Sequence, residues 1–224
     1  MIIVAVVVIL VIFVGVGWAV GTEMFQQRSW RNRVAAGDTD MIGALIEEAL
    51  EQWRRARPPR EVAASLWAGV QGAQLIAVTA DSATLSGAAE AAFRTENGIR
   101  TQVASALDEA IALASKLIDM ILYDVPNLRL GSVRVDVYST FAGDDGAPVQ
   151  RPILTSTADR LTADDLPWET LTAEEVLARF ETHYTVGDGG RPVPIELPEI
   201  EGNAPRPAEE AAADAQGEQL KDAD

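Results

Sequence analysis

No cysteine occurs in the chain, which rules out disulfides, cysteine-based zinc sites and thiol catalysis. Histidine occurs once, at His183, so multi-histidine metal sites and most histidine relays are excluded as well. Lysine is confined to Lys116 and Lys221. Ser65, Ser86 and Ser139 lack the Gly-x-Ser-x-Gly frame of a nucleophile elbow. Neither a phosphate-binding P-loop nor a glycine-rich dinucleotide fingerprint is present. Positive charge is scarce: the net charge is -16 and the isoelectric point about 4.4. Such a balance argues against general nucleic-acid binding, which relies on basic surface to displace phosphate counterions, and it repels the body of the protein from an anionic bilayer surface.

What is present first is an apolar run. Residues 1 to 20, MIIVAVVVILVIFVGVGWAV, contain no charged side chain. A helix rising about 1.5 Å per residue needs roughly 20 apolar residues to cross a bilayer, and it satisfies its own backbone there. Residues 1–21 are therefore expected to be an uncleaved, single-pass signal-anchor contacting membrane lipid. The alternatives are a cleaved signal peptide, against which stand the missing basic n-region and the length, and a buried helix. Arg28, Arg31 and Arg33 follow the run and no basic side chain precedes it, so the positive-inside rule puts the C-terminal side in the cytoplasm. Trp18 and Trp30 suit the membrane interface, and Gly17 with Gly21 forms one small-xxx-small pair.

Residues 22–37 read as a juxtamembrane connector, 38–190 as one α+β domain and 191–224 as a proline-rich, acidic, disordered tail. Asp38 offers an N-cap ahead of Ile42, Leu45, Ile46, Ala49, Leu50 and Trp53, a helical stripe that Pro58 and Pro59 end. A shorter helix with Val62, Leu66 and Trp67 is expected from there. Leu75–Val78 and Ala83–Leu85 read as short strands. Residues 87–103 admit two readings: a helix from about Asn97, which the alanines favour, or a hairpin about Asn97-Gly98 flanked by Phe93, Thr95, Ile99 and Thr101. Leu107, Ile111, Ala114, Ile118 and Ile121 then form the stripe of a long helix ending at Pro126. Alternation over Ser132–Phe141 predicts a strand with Val133, Val135 and Val137 buried and Arg134, Asp136 and Tyr138 on a wetter face. Pro152–Thr157 is its expected antiparallel partner. Thr172 and Glu175 form a capping box for a helix over 173–182, with a last strand at His183–Val186. The order predicts helices on a mostly antiparallel sheet. From Glu199 onward eight acidic side chains face only Arg206 and Lys221, and so little apolar surface cannot offset ordering entropy, which predicts disorder.

The best carboxylate for chemistry is Asp136 on its strand, with Asp159, Glu90 or Glu96 as companions. A divalent-metal-dependent hydrolase would need a second acidic residue two positions before a lysine that steadies the attacking water. Lys116 falls in a helix and Lys221 in the tail. The competing reading pairs Asp136 with Arg134 or with a cross-strand base on an exposed sheet face. Asp144-Asp145 and Asp188-Gly189-Gly190 read as turns and lack an alternating calcium loop closed by a bidentate glutamate. His183, at a strand start, reads as packed or solvated. Trp53 and Trp67 read as core, and Trp168 as a candidate exposed contact. The residues thus assign no catalytic, cofactor-binding or metal-ligating position. They point to a membrane-anchored interaction or scaffold module that binds a protein partner or a second copy and no nucleic acid. A tethered hydrolase using Asp136 and an extracytoplasmic envelope protein are the alternatives.

Overall fold

The structure, a computed structural model, describes residues 38–96, 98–200 and 202. The expected anchor and connector at 1–37, and the tail from 203, lie outside the described residues. Among the described residues no helix is long and apolar enough to cross a membrane. Helix α1 spans Thr39–Arg55. Asp38 caps it by accepting from the Met41 amide at 3.2 Å, and Ile42, Leu45, Ile46, Ala49 and Leu50 are buried as the stripe predicts. Arg54 and Arg55 complement the negative helix end, and Ala56 closes it before the prolines. Helix α2 (Ala64–Gln71) starts later than the prolines suggest. It buries Trp67 and Val70, and the Trp67 indole donates to the Ala56 carbonyl at 3.2 Å.

Strands β1 (Gln74–Val78) and β2 (Ser82–Ala88) pair antiparallel about Asp81. The next stretch corrects the preferred reading of the sequence. The hairpin forms, β3 (Ala92–Glu96) pairing antiparallel with β4 (Ile99–Ala104), and among the described residues no helix lies between them. Two features explain it. Gly98 takes φ +80, which a helix interior does not accommodate, and Ser105 with Asp108 forms a capping box that starts the helix only after the hairpin.

Helix α3 (Ala106–Asp119) follows and runs into a π-type turn at Met120–Asp124. Leu107, Ala114, Ile118 and Ile121 are buried as the stripe requires, with Leu113 and Leu117 added; Ile111 is only partly buried. Gly69 and Gly87 bring α2 and β2 onto α3: a Cβ at either would stand 2.9 or 3.0 Å from the Leu113 side chain. Leu113, at 1 % exposure, has no room to yield.

Strands β5 (Ser132–Ala142) and β6 (Pro148–Asp159) form the longest pair, antiparallel from Ser132↔Asp159 to Ala142↔Pro148. A short helix α4 (Arg160–Asp164), absent from the sequence reading, is capped by Asp159. Helix α5 (Ala173–Leu177) keeps the Thr172–Glu175 capping box but stops short of 182, because the chain from Glu181 to Val186 is strand β7, paired to β6. A 3-10 turn at Asp188–Gly190 leads to β8 (Pro192–Val193).

The sheet order is β1-β2-β5-β6-β7-β8. Only β2–β5 is parallel, its crossover carrying the hairpin and α3; the other pairs are antiparallel. The described residues thus form an α+β domain with helices packed on a mostly antiparallel sheet. Val133, Val135, Val137, Leu85 and Leu154 join the helix stripes in one core.

Candidate functional site

Alternation assigns the second face of the sheet to polar side chains: Thr84 and Ser86 on β2, Arg134, Asp136 and Tyr138 on β5, Thr155 on β6 and His183 on β7. The sequence predicts that this face is wet. At β5 it is not: Arg134 is 9 % and Asp136 1 % exposed. The cover comes from residues expected in the tail. After β8 the chain crosses this face as an extended strap. The Ile195 amide donates to the Pro152 carbonyl at 2.9 Å, and Arg134 donates from its two terminal nitrogens to the carbonyls of Pro198 and Glu199, each at 3.1 Å. Gly202 lies against Val78 and Thr79 at the end of β1. Residues 192–200 therefore contact the domain, which corrects a disordered tail beginning at Arg191.

Beneath the strap, Asp136 Oδ1 accepts from Arg134 Nε at 2.9 Å and from Thr155 Oγ1 at 2.6 Å. The expected Arg134–Asp136 pair is present, but buried rather than exposed. Burial changes its energetics, because removing one partner now leaves a charge without water. The nearby Tyr138 phenol is raised above its ordinary pKa, first by burial and then by the Asp136 charge, with Arg134 opposing. Beside the pair opens a groove of about 360 Å³, walled by Gln74, Ser86, Asp136, Tyr138, Gln150 and Ile200. A second hollow of about 290 Å³, on the helix side, is lined mainly by apolar atoms with Ser65 and Glu90 at its wall.

The carboxylates considered as companions of Asp136 do not join it. Asp159 faces Ser132 across the sheet and caps α4, four positions along β5 from Asp136 and so about 13 Å away. Glu90 lies at the opposite end, accepting from the Thr140 amide at 2.9 Å and the Ser139 hydroxyl at 3.3 Å. Glu96 sits in the hairpin, 3.6 Å from Arg94. Lys116 bonds Asp119 at 2.7 Å on α3, and Lys221 lies outside the described residues. Among the described residues no three acidic or histidine side chains converge on a common point.

Asp145 accepts from Ala147 within the β5–β6 turn, and Asp188 opens the 3-10 turn, so both acidic clusters form turns. His183 is exposed and 3.6 Å from Glu181. Trp53 and Trp67 pack on the core. Trp168 does too, correcting its reading as an exposed contact: its indole donates to the Ala163 carbonyl at 2.9 Å, and its ring meets Tyr123 and Phe180. Tyr123 donates to Asp164 at 2.9 Å, and its phenol is pushed up to about 12 by burial, then by that bond and charge.

The docked strap is the element that the sequence does not announce. Its prolines signal an extended chain as readily as a broken one, and Arg134 opposite them is the cue to docking. Comparison with protein-family models, with curated proteins and with solved structures finds no match for this chain, so its reading rests on its own residues.

Proposed function

We propose that this is a single-pass membrane protein whose residues 1–21 contact lipid and whose α+β domain acts on the cytoplasmic side as a protein-interaction or scaffold module. The observation that carries the reading is the state of Asp136. The carboxylate best placed for chemistry has one oxygen committed to Arg134 and Thr155, and its nearest candidate companions lie about 13 Å off along β5. A hydrolytic divalent-metal centre needs several ligands converging on one point with a supporting shell. What this face offers instead is a groove, a backbone-binding arginine and polar side chains without hydrogen bonds among the described residues, which suit recognition of another chain.

The test is crosslinking in intact cells followed by pull-down of the tagged full-length protein, with alkaline carbonate extraction and a C-terminal topology reporter alongside. Retention in the carbonate pellet, a reporter silent outside the cytoplasm and a discrete crosslinked partner are expected. An active external reporter would favour the envelope alternative. Micromolar binding of magnesium, manganese or calcium that Asp136→Asn abolishes would favour the hydrolase.

A further inference from the structure

Beyond β8, residues 194–200 of the strap lie on the polar face without joining the sheet beneath them. We propose that this face is a groove for an extended, proline-bearing peptide of a partner protein, and that residues 192–200 (PVPIELPEI) occupy it as a resident substitute. The inference rests on the interaction-module reading and names the partner's chemistry.

The strap is recognised through its backbone. Arg134 presents its planar fork to two successive main-chain carbonyls, Pro198 and Glu199, while its Nε is held by Asp136. A donor set aimed at carbonyls reads chain direction and extension and leaves the side chains free to vary. Pro192, Pro194 and Pro198 restrict the strap to extended conformations, which lowers the entropy lost on docking, and a partner segment gains the same advantage from the same residue type.

Open space of about 360 Å³ remains beside the occupant. Gln74, Ser86, Tyr138 and Gln150 wall the cavity beside Ile200, and none of these four side chains makes a hydrogen bond among the described residues. Donors and acceptors left open beside a docked backbone suit the polar side chains of a longer or differently spaced peptide. The resident is also lightly held. Beyond Val193 the hydrogen bonds among the described residues are those of Ile195 and the two from Arg134, and most strap residues are exposed. Segments with few buried contacts open at low free-energy cost. Against this, the strap is covalently tethered and competes at an effective concentration of about millimolar, so a free peptide meets an occupied groove until the strap is loosened.

The test uses the full chain in mild detergent and a fluorescein-labelled PVPIELPEI peptide followed by anisotropy. Wild type is compared with Ile200→Asp, at an exposed position, and with Ile195→Pro, which deletes the amide that bonds Pro152. Each substitution is expected to tighten peptide binding by about tenfold or more by weakening the tethered competitor. A peptide of the same composition with D-proline at the position of Pro198 turns the two carbonyls away from Arg134. It is expected to bind at least about tenfold more weakly, a comparison that needs no folded variant. Equal binding of the two peptides, or no gain in either loosened chain, overturns the proposal. Loosened chains that elute as dimers before peptide is added assign the groove to a second copy's strap and overturn the partner assignment. Peptide failure with a crosslinked partner still captured leaves the interaction reading on another surface; peptide binding without a captured partner leaves the groove and removes that reading.

Discussion

Both faces of the six-stranded sheet are closed at β5, by different means. On one, Val133, Val135 and Val137 disappear under α3 in an apolar core at 0 % exposure. On the other, Arg134 and Asp136 disappear under a strap held by a few hydrogen bonds. The first closure is non-directional and grows with area; the second depends on a few oriented donors and fails if one is lost. Burial on the helix side is thus a matter of stability, whereas burial on the strap side is conditional, and a conditional surface is where binding is to be sought.

The strap side is disrupted most severely by Arg134→Ala. It strips Asp136 of its charge partner and the strap of two bonds, and a loss of roughly 3–5 kcal/mol in chemical denaturation is expected, the range for one-sided removal of a buried pair. Replacing both partners, Arg134→Met with Asp136→Leu, should return much of that loss, since a well-packed apolar pair is often no less stable than an ion pair. On the helix face, Leu113→Ala removes the side chain wedged between Gly69 and Gly87, and about 3 kcal/mol is expected with no change in peptide binding. Ile99→Ser, in the exposed hairpin, should change stability by less than about 0.5 kcal/mol.

The smallest effect is in alkali. The Tyr123 phenol rises from 10.0 to about 12, so the folded state favours its protonated form. Its contribution is fully present below pH 10 and is lost as pH climbs towards about 12. Ultraviolet titration should show a late phenolate, and Asp164→Asn, which removes the charge beside that phenol, should bring it earlier.

Much of this architecture was readable from residue order. The α1 stripe, the Thr172–Glu175 box, the β5 alternation and the stripe of α3 all specify a face by period alone. Where the reading failed, a distant partner decided. Nothing local to Arg134 and Asp136 says that the polar side of β5 is covered, because the cover arrives more than sixty positions later. Residues 92–104 went to the hairpin because alanine content is a weak preference beside Gly98 and the cap at Ser105. For the site, the Arg134–Asp136 pairing was legible from two-residue spacing on one strand face. The separation of Asp136 from Asp159 and Glu90 was not, since it depends on the register of β5 against β6 and on the loop carrying Glu90.

The most direct test of a strap-closed polar face is a pair of thermal melts in mild detergent, one chain ending at Gly202 and one at Arg191. The longer is expected to melt within about 2 °C of the full chain and the shorter about 5 °C or more below it, the shift corresponding to roughly 2 kcal/mol of lost strap contacts in a domain of this size. Equal midpoints for the two truncations would contradict it.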